Sequence, residues 1–451
     1  MSETLVIEGA HIATVGGAEY ADGHIVVADG RIAAVGPGPA PRTPGARRID
    51  ADGCLATPGL VNTHNHLYQW ATQGLFADGT LFEWLTGSYE IWNRLDAQVV
   101  SGTTTAGLGW LALSGCSTAS DHHYIFPSGR GDIAAAEVEA ARAVGIRLDL
   151  ARGSMDRGRG QGGLPPDGVV ETLEGALAAT EAAIDAHHDA SPESMTRVAV
   201  APCSPFSVSR DLMTEAARLA RAKGVRLHTH LAETVDEEEQ CLAEFGCTPV
   251  EYAEKLGWLG SDVWFAHAVH LSDAAIARIA ATGTGIAHCP SSNARLGAGI
   301  CRVTELLEAG ANVGLGVDGP ASSELTSLSG EMRQALLMAR ARKGPQALTA
   351  RRALEMATLG GARCLGREEE LGSLEVGRLA DIALWRVDGY GHDVIDDPVV
   401  SLVFGPAAPL ERLLVGGATV VERGELRTVP ADAAARAGRA AHRTLLKEVT
   451  R

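Results

Sequence analysis

Over the first 57 residues the apolar positions come in short alternating runs broken by turns. From Pro58-Gly59 onward they settle into a longer rhythm of apolar run, Ala-rich segment, apolar run. The opening runs are Leu5-Val6-Ile7, His24 to Val27 and Arg31 to Val35, the last two joined by Asp29-Gly30, a dipeptide suited to a tight hairpin. This pattern predicts a small β-module. Eight candidate strands follow, over Leu55–His66, Ser117–His123, Arg147–Gly153, Arg197–Pro205, Arg226–Glu233, Val263–His270, Thr284–Asn293 and Val313–Gly319. Between them, stretches such as Asp132–Val144, Arg210–Lys223 and Ser272–Ala281 carry apolar residues at helical spacing. Eight strand–helix units in series predict a closed parallel (β/α)8 barrel. After Leu365 the strand pattern returns at Leu371–Leu374, Ala380–Trp385 and Val415–Val421, and Ala431 to Glu448 is a helix expected to pack across a subunit interface. The expected organisation is α/β: a barrel over 58–365 beside a composite β-sandwich built from 1–57 and 366–451.

In such a barrel the functional groups gather at the C-terminal ends of the strands. The predicted ends are polar: His64 and His66, Asp121, Arg152, Cys203, His230 and Glu233, His267, Asn293, and Asp318. Side chains alternate along a strand, so His64 and His66 face one way and can hold one metal ion from one side. His230 offers a third donor and Asp318 a fourth, which completes a mononuclear hydrolytic site able to acidify a water. Glu233 falls where the fifth strand turns into its loop, within reach of such a water's proton. His267, between alanines, is expected to orient the attacking water, and His270 to lie in a loop. His228 sits two residues deeper than His230 and is expected in the barrel interior. His122, His123 and His288 are candidates by residue type only.

Composition narrows the chemistry. The first lysine is Lys223, so the fourth predicted strand has no lysine to carbamylate and bridge two metals; one ion per subunit is expected. Acidic residues outnumber Lys and Arg by 56 to 39, a formal charge of −17, which disfavours nucleic acid or anionic membrane as partner. Eight cysteines without a Cys-x-x-Cys pair suggest reduced thiols, and Met1-Ser2-Glu3-Thr4 lacks the basic start of a signal peptide. A cytoplasmic protein, assembled as a homo-oligomer, is expected. A nucleoside-deaminase pattern with Pro-Cys-x-x-Cys is absent, since Ser204-Pro205-Phe206 follow Pro202-Cys203.

Several motifs together resemble the amidohydrolase superfamily over nearly the whole chain. They are Pro58-Gly59-Leu60-Val61-Asn62-Thr63-His64-Asn65-His66, His230-Leu231-Ala232-Glu233, His288-Cys289-Pro290-Ser291-Ser292-Asn293, Asp318-Gly319 and Gly377-Arg378-Leu379-Ala380-Asp381-Ile382. The His-x-x-Glu on the fifth strand is similar to the chlorohydrolase and aminohydrolase branch. That resemblance implies zinc on His64, His66, His230 and Asp318, with Glu233 shuttling protons. Asp121-His122-His123-Tyr124, Ala151 to Met155 and Ala201 to Phe206 resemble 8-oxoguanine deaminases, and triazine hydrolases share much of that framework. The resemblance implies Gln73 and Cys203 as substrate contacts and a free heterocyclic base as substrate. The expected reaction is hydrolytic deamination of 8-oxoguanine to urate and ammonia, with a triazine hydrolase or a guanine or isocytosine deaminase as alternatives. A non-catalytic scaffold on the same barrel is disfavoured because all four donor positions are filled.

Overall fold

The computed structural model describes residues 4–447; Met1 to Glu3 and the predicted helix end at Glu448 lie outside the described residues. Eight parallel strands close a barrel in chain order: Leu60–Asn62, Cys116–His123, Arg147–Ser154, Thr196–Pro202, Leu227–Leu231, Val263–His267, Gly285–His288 and Asn312–Leu315. Closure is made by Leu315 opposite Asn62. The helices between them start and stop where local chemistry dictates. Ser209 accepts the Leu212 N–H at the start of Arg210–Lys223, and Gly224, at φ +68°, ends that helix in the left-handed conformation a β-carbon disfavours. Inside the barrel, Val61, Ala151, Ala199, Ala201, Trp264 and Ala287 pack with Cys364 and Leu365. These small side chains leave room for Trp264, whose indole N–H donates to the Thr63 carbonyl (3.0 Å) and supports the chain just before His64.

The two ends of the chain share one nine-stranded sheet. Its order runs from Glu425–Leu426 through Ala418–Glu422, Leu410–Val415 and Ile382–Arg386 to Cys54–Pro58, Leu5–Ala13, Glu19–Ala28 and Arg31–Pro37, with Arg47–Asp50 also paired to Leu5–Ala13. The predicted strand Leu55–His66 is therefore two. Cys54–Pro58 pairs antiparallel with Ile382–Arg386, and Leu60–Asn62 opens the barrel. Gly59 is the joint: a β-carbon there would lie 2.4 Å from Ser117 Oγ. Sheet and barrel are pinned by Arg147, which grips Asp381 with two parallel bonds of 2.9 and 3.0 Å, both side chains nearly fully buried. The helix Ala431–Leu446 lies along Ala97–Leu113 of its own chain; a β-carbon on Gly102 would lie 3.0 Å from the Ala437 carbonyl. All eight cysteines are buried and unpaired. Among the described residues, no helix is long and apolar enough to cross a membrane.

Candidate active site

The donors sit just beyond the regular strands, on backbone that the barrel bends into position. His64 and His66 follow the first strand in a segment held by an Asn65–Asp318 bridge, by the His122 N–H on the Asn65 carbonyl (2.8 Å) and by the Asp318 N–H on the His64 carbonyl (3.0 Å). Alternation along a strand anticipated their shared direction, although that strand ends at Asn62. Three other strand ends turn through left-handed backbone without glycine: Ala232 at φ 54°, His267 and Ala268 at 72° and 48°, and Asp318 at 59°. Each such residue costs on the order of 1–3 kcal/mol, a cost the surrounding fold sustains where it aims side chains inward.

Proton accounting fixes what the histidines present. His228 Nδ1 faces the Trp264 carbonyl (2.9 Å), which can only accept, so its proton is there and Nε2 is a lone pair. His64 Nδ1 lies 2.8 Å from that lone pair and must donate to it, which leaves His64 Nε2 as a second lone pair. By the same logic His66 Nδ1 donates to the His122 carbonyl (2.6 Å) and His230 Nδ1 to the Cys203 carbonyl (2.7 Å). Their Nε2 atoms face one another at 3.1 Å, and those of His64 and His66 both lie 3.3 Å from Asp318 Oδ1. Three lone pairs and a carboxylate oxygen thus converge with no proton between them, and His64 Nε2 is buried without a hydrogen-bond partner. Only a cation satisfies such a set, so the residues fit a metal ion. Burial also holds His64, His228 and His230 well below the usual imidazole range, which keeps them neutral and able to donate lone pairs. Asp318 Oδ2 is occupied by the Ser292 and Ser322 hydroxyls (2.5 and 3.1 Å), which leaves Oδ1 to face the histidines.

Around this centre lies a pocket lined by His66, Gln69, Trp84, Tyr89, Tyr124, Cys203, Phe206, Glu233, His267 and neighbours. Glu233 Oε2 is 3.6 Å from His267 Nε2, and His267 Nδ1 donates to Asn293 Oδ1 (3.0 Å). Burial raises the Glu233 carboxyl above the ordinary range. For His267 burial acts downward, but the Glu233 and Asp318 carboxylates outweigh it and raise the imidazole. Glu237 accepts the backbone N–H groups of Ala232 and Glu233 (2.8 and 2.9 Å) and so fixes the turn that aims Glu233.

The Amidohydrolase family model matches residues 55–416. The chain belongs to the amidohydrolase family. It is 43% identical over 421 residues to the 8-oxoguanine deaminase of Pseudomonas aeruginosa, covering 93% of each chain. It is 38% identical to an isoxanthopterin deaminase from an unknown prokaryotic organism, covering 91% of this chain and 89% of the relative. The crystal structure of atrazine chlorohydrolase TrzN from Arthrobacter aurescens TC1 complexed with zinc superposes with a TM-score of 0.92 at 33% identity, over 97% of this chain and all of that one. This amidohydrolase is accordingly a hydrolase acting on C–N bonds, of the deaminase and hydrolase kind.

Of the residues singled out in the amidohydrolase sequence, His64, His66, His230, Asp318, Glu233, His267 and Cys203 come together. Gln73 does not line the pocket; Gln69, one turn earlier, does. Arg152 is directed to Glu171 (2.7 and 2.9 Å) rather than to the pocket, and His270 is a loop residue bonded to the Ala298 carbonyl (2.7 Å). Cys203 contributes its carbonyl to His230, and burial pushes its thiol up to about 12, so it stays protonated. His228 is interior as expected, but its bond to His64 was not foreseen; the signal was its place two residues behind His230 on the same face. Gln69, Tyr89 and Tyr124 had no spacing to mark them, because they come from a 3-10 turn, a helix and a strand end.

Proposed function

We propose that this protein is a zinc-dependent hydrolytic deaminase of a small aromatic amino-heterocycle, with 8-oxoguanine converted to urate and ammonia. The observation that carries the reading is the convergence of three histidine lone pairs and Asp318 on one point at the rim of a pocket that also presents Glu233. The likeness to 8-oxoguanine deaminase supports the substrate. Zinc held by His64, His66, His230 and Asp318 would acidify a water and polarise the carbon under attack. Glu233, whose carboxyl burial raises above the ordinary range, accepts the first proton of the attacking water and gives it to the ring nitrogen, then carries the second, from the newly added hydroxyl, to the amine so that it departs as ammonia. His267, anchored through Asn293, orients that water together with Asp318. Trp84, Tyr89, Tyr124 and Phe206 supply flat apolar walls suited to a planar ring, and the Gln69 amide is a polar contact for its edge. Water adds at the carbon, the C–N bond breaks, and ammonia leaves.

The competing reading is a triazine hydrolase that expels an alkylamine or chloride, supported by the likeness to atrazine chlorohydrolase. One panel separates them: ammonia release from 8-oxoguanine, guanine and isocytosine, beside amine and chloride release from hydroxylated and chlorinated triazines. Turnover of triazines alone, with no ammonia from any of the three bases, would sink the deaminase reading. The small-molecule substrate, a homo-oligomeric assembly and a cytoplasmic location complete the proposal.

A further inference from the structure

A second cluster of donor groups lies outside the pocket. Asp121 and His123 stand two residues apart at the end of the second barrel strand, and Glu137 reaches them from the helix Ile133–Val144. One donor atom from each lies within 4.8 Å of the other two, and all three side chains are fully buried. His123 Nε2 donates to the Ile125 carbonyl (3.0 Å), which puts the lone pair on Nδ1, 3.2 Å from Glu137 Oε2. Asp121 spends Oδ1 on the Leu67 N–H (2.5 Å). His123 Nδ1, Asp121 Oδ2 and both Glu137 oxygens are left buried with no hydrogen-bond partner among the described residues. The neighbouring cation, Arg152, is committed to Glu171. Two carboxylates in such surroundings cannot keep their charges unaided, and burial pushes Glu137 up to about 8 against the lowering effect of its side-chain contact with Asp121.

We propose that Asp121, His123 and Glu137 hold a second divalent cation, separate from the centre at His64, His66, His230 and Asp318. A divalent ion cancels the two carboxylate charges and gives an orphaned atom of each side chain a partner. One imidazole nitrogen with carboxylate oxygens is a donor set for zinc or manganese. The missing lysine on the fourth strand argues against a bridged pair inside the pocket and has no bearing here. The site's role is structural: Asp121 is bonded to Leu67, the residue after His66, so occupancy stiffens the turn that presents His66.

The test uses the full chain stripped with chelator, reloaded with Mn2+ and dialysed, in wild type and Glu137→Gln. Bound manganese is counted by mass spectrometry, and wild-type crystals are measured at the manganese absorption edge. Two equivalents in wild type, one in Glu137→Gln, and an anomalous peak between Asp121, His123 and Glu137 are expected. A wild type with one equivalent, or a map without that peak, overturns the proposal and leaves protons shared within the cluster. Should Glu137→Gln not fold, the wild-type anomalous map decides alone.

Discussion

At the scale of single residues, the site depends on which ring nitrogen carries each proton. The convergence of the proposed metal donors was legible in the sequence because their types and strand-end positions coincide: His64, His66, His230 and Asp318 all follow apolar runs. Their tautomers were not, since these depend on carbonyls brought from other strands, such as Trp264 and Cys203. Two outcomes follow. Glu233→Gln should lower kcat by roughly 10²–10⁴, the usual contribution of a positioned proton carrier, with unchanged zinc content by metal analysis. His228→Phe should weaken metal binding by about 10–100-fold in a chelator competition, because His64 then has no lone pair on which to place its proton. An undiminished affinity would show that His64 is oriented by packing alone.

At the scale of elements, the strands are shorter than their apolar runs suggested, and the chemistry sits in the turns after them. Thr284–Asn293 was expected as one strand; the structure ends it at His288 and turns Pro290–Arg295 into a helix, which is how Ser292 reaches Asp318 and Asn293 reaches His267. Pro290 at the first helical position favours that break, a cue outweighed by the apolar run before it. The turn after the fifth strand rests on Glu237. Glu237→Ala leaves two buried N–H groups unpaired, and a loss of about 1–3 kcal/mol in chemical denaturation is expected, with reduced turnover. Glu331 braces the helix from Pro290 through the Ser291 N–H (3.1 Å), and burial pushes its carboxyl from 4.5 up to about 8. The folded protein therefore keeps a proton that the unfolded chain releases near pH 4.5, and stability linked to this group is lost as pH rises through about 8. Glu331→Gln should match wild type in melting temperature near pH 4.5 and gain on it progressively toward pH 8.

At the scale of the molecule, the barrel-plus-terminal-sheet plan was legible because the strand rhythm changes at Pro58 and again after Leu365. The partner of each terminal strand was not, for pairing between residues more than three hundred apart leaves no local trace. The Arg147–Asp381 pair joins the two bodies in buried surroundings, where removing one member leaves a charge without compensation. Asp381→Ala should cost about 3–5 kcal/mol in denaturant unfolding, and an earlier loss of the sheet than of the barrel would be its signature in hydrogen exchange.

The strand Cys54–Pro58 lies between Leu5–Ala13 and Ile382–Arg386, and the Trp385 indole donates to Thr57 across 328 residues. During synthesis the amino-terminal strands emerge first but complete their sheet last. Until the final segment leaves the ribosome, Cys54–Pro58 presents an open edge of backbone donors and acceptors, a surface prone to pairing with another chain. The long interval is filled by the barrel, whose neighbouring strands are close in sequence and can form while the sheet waits. A chain stalled before Ile382 would thus carry all of the proposed metal donors and still be an aggregation hazard, and timing rather than chemistry would decide its fate.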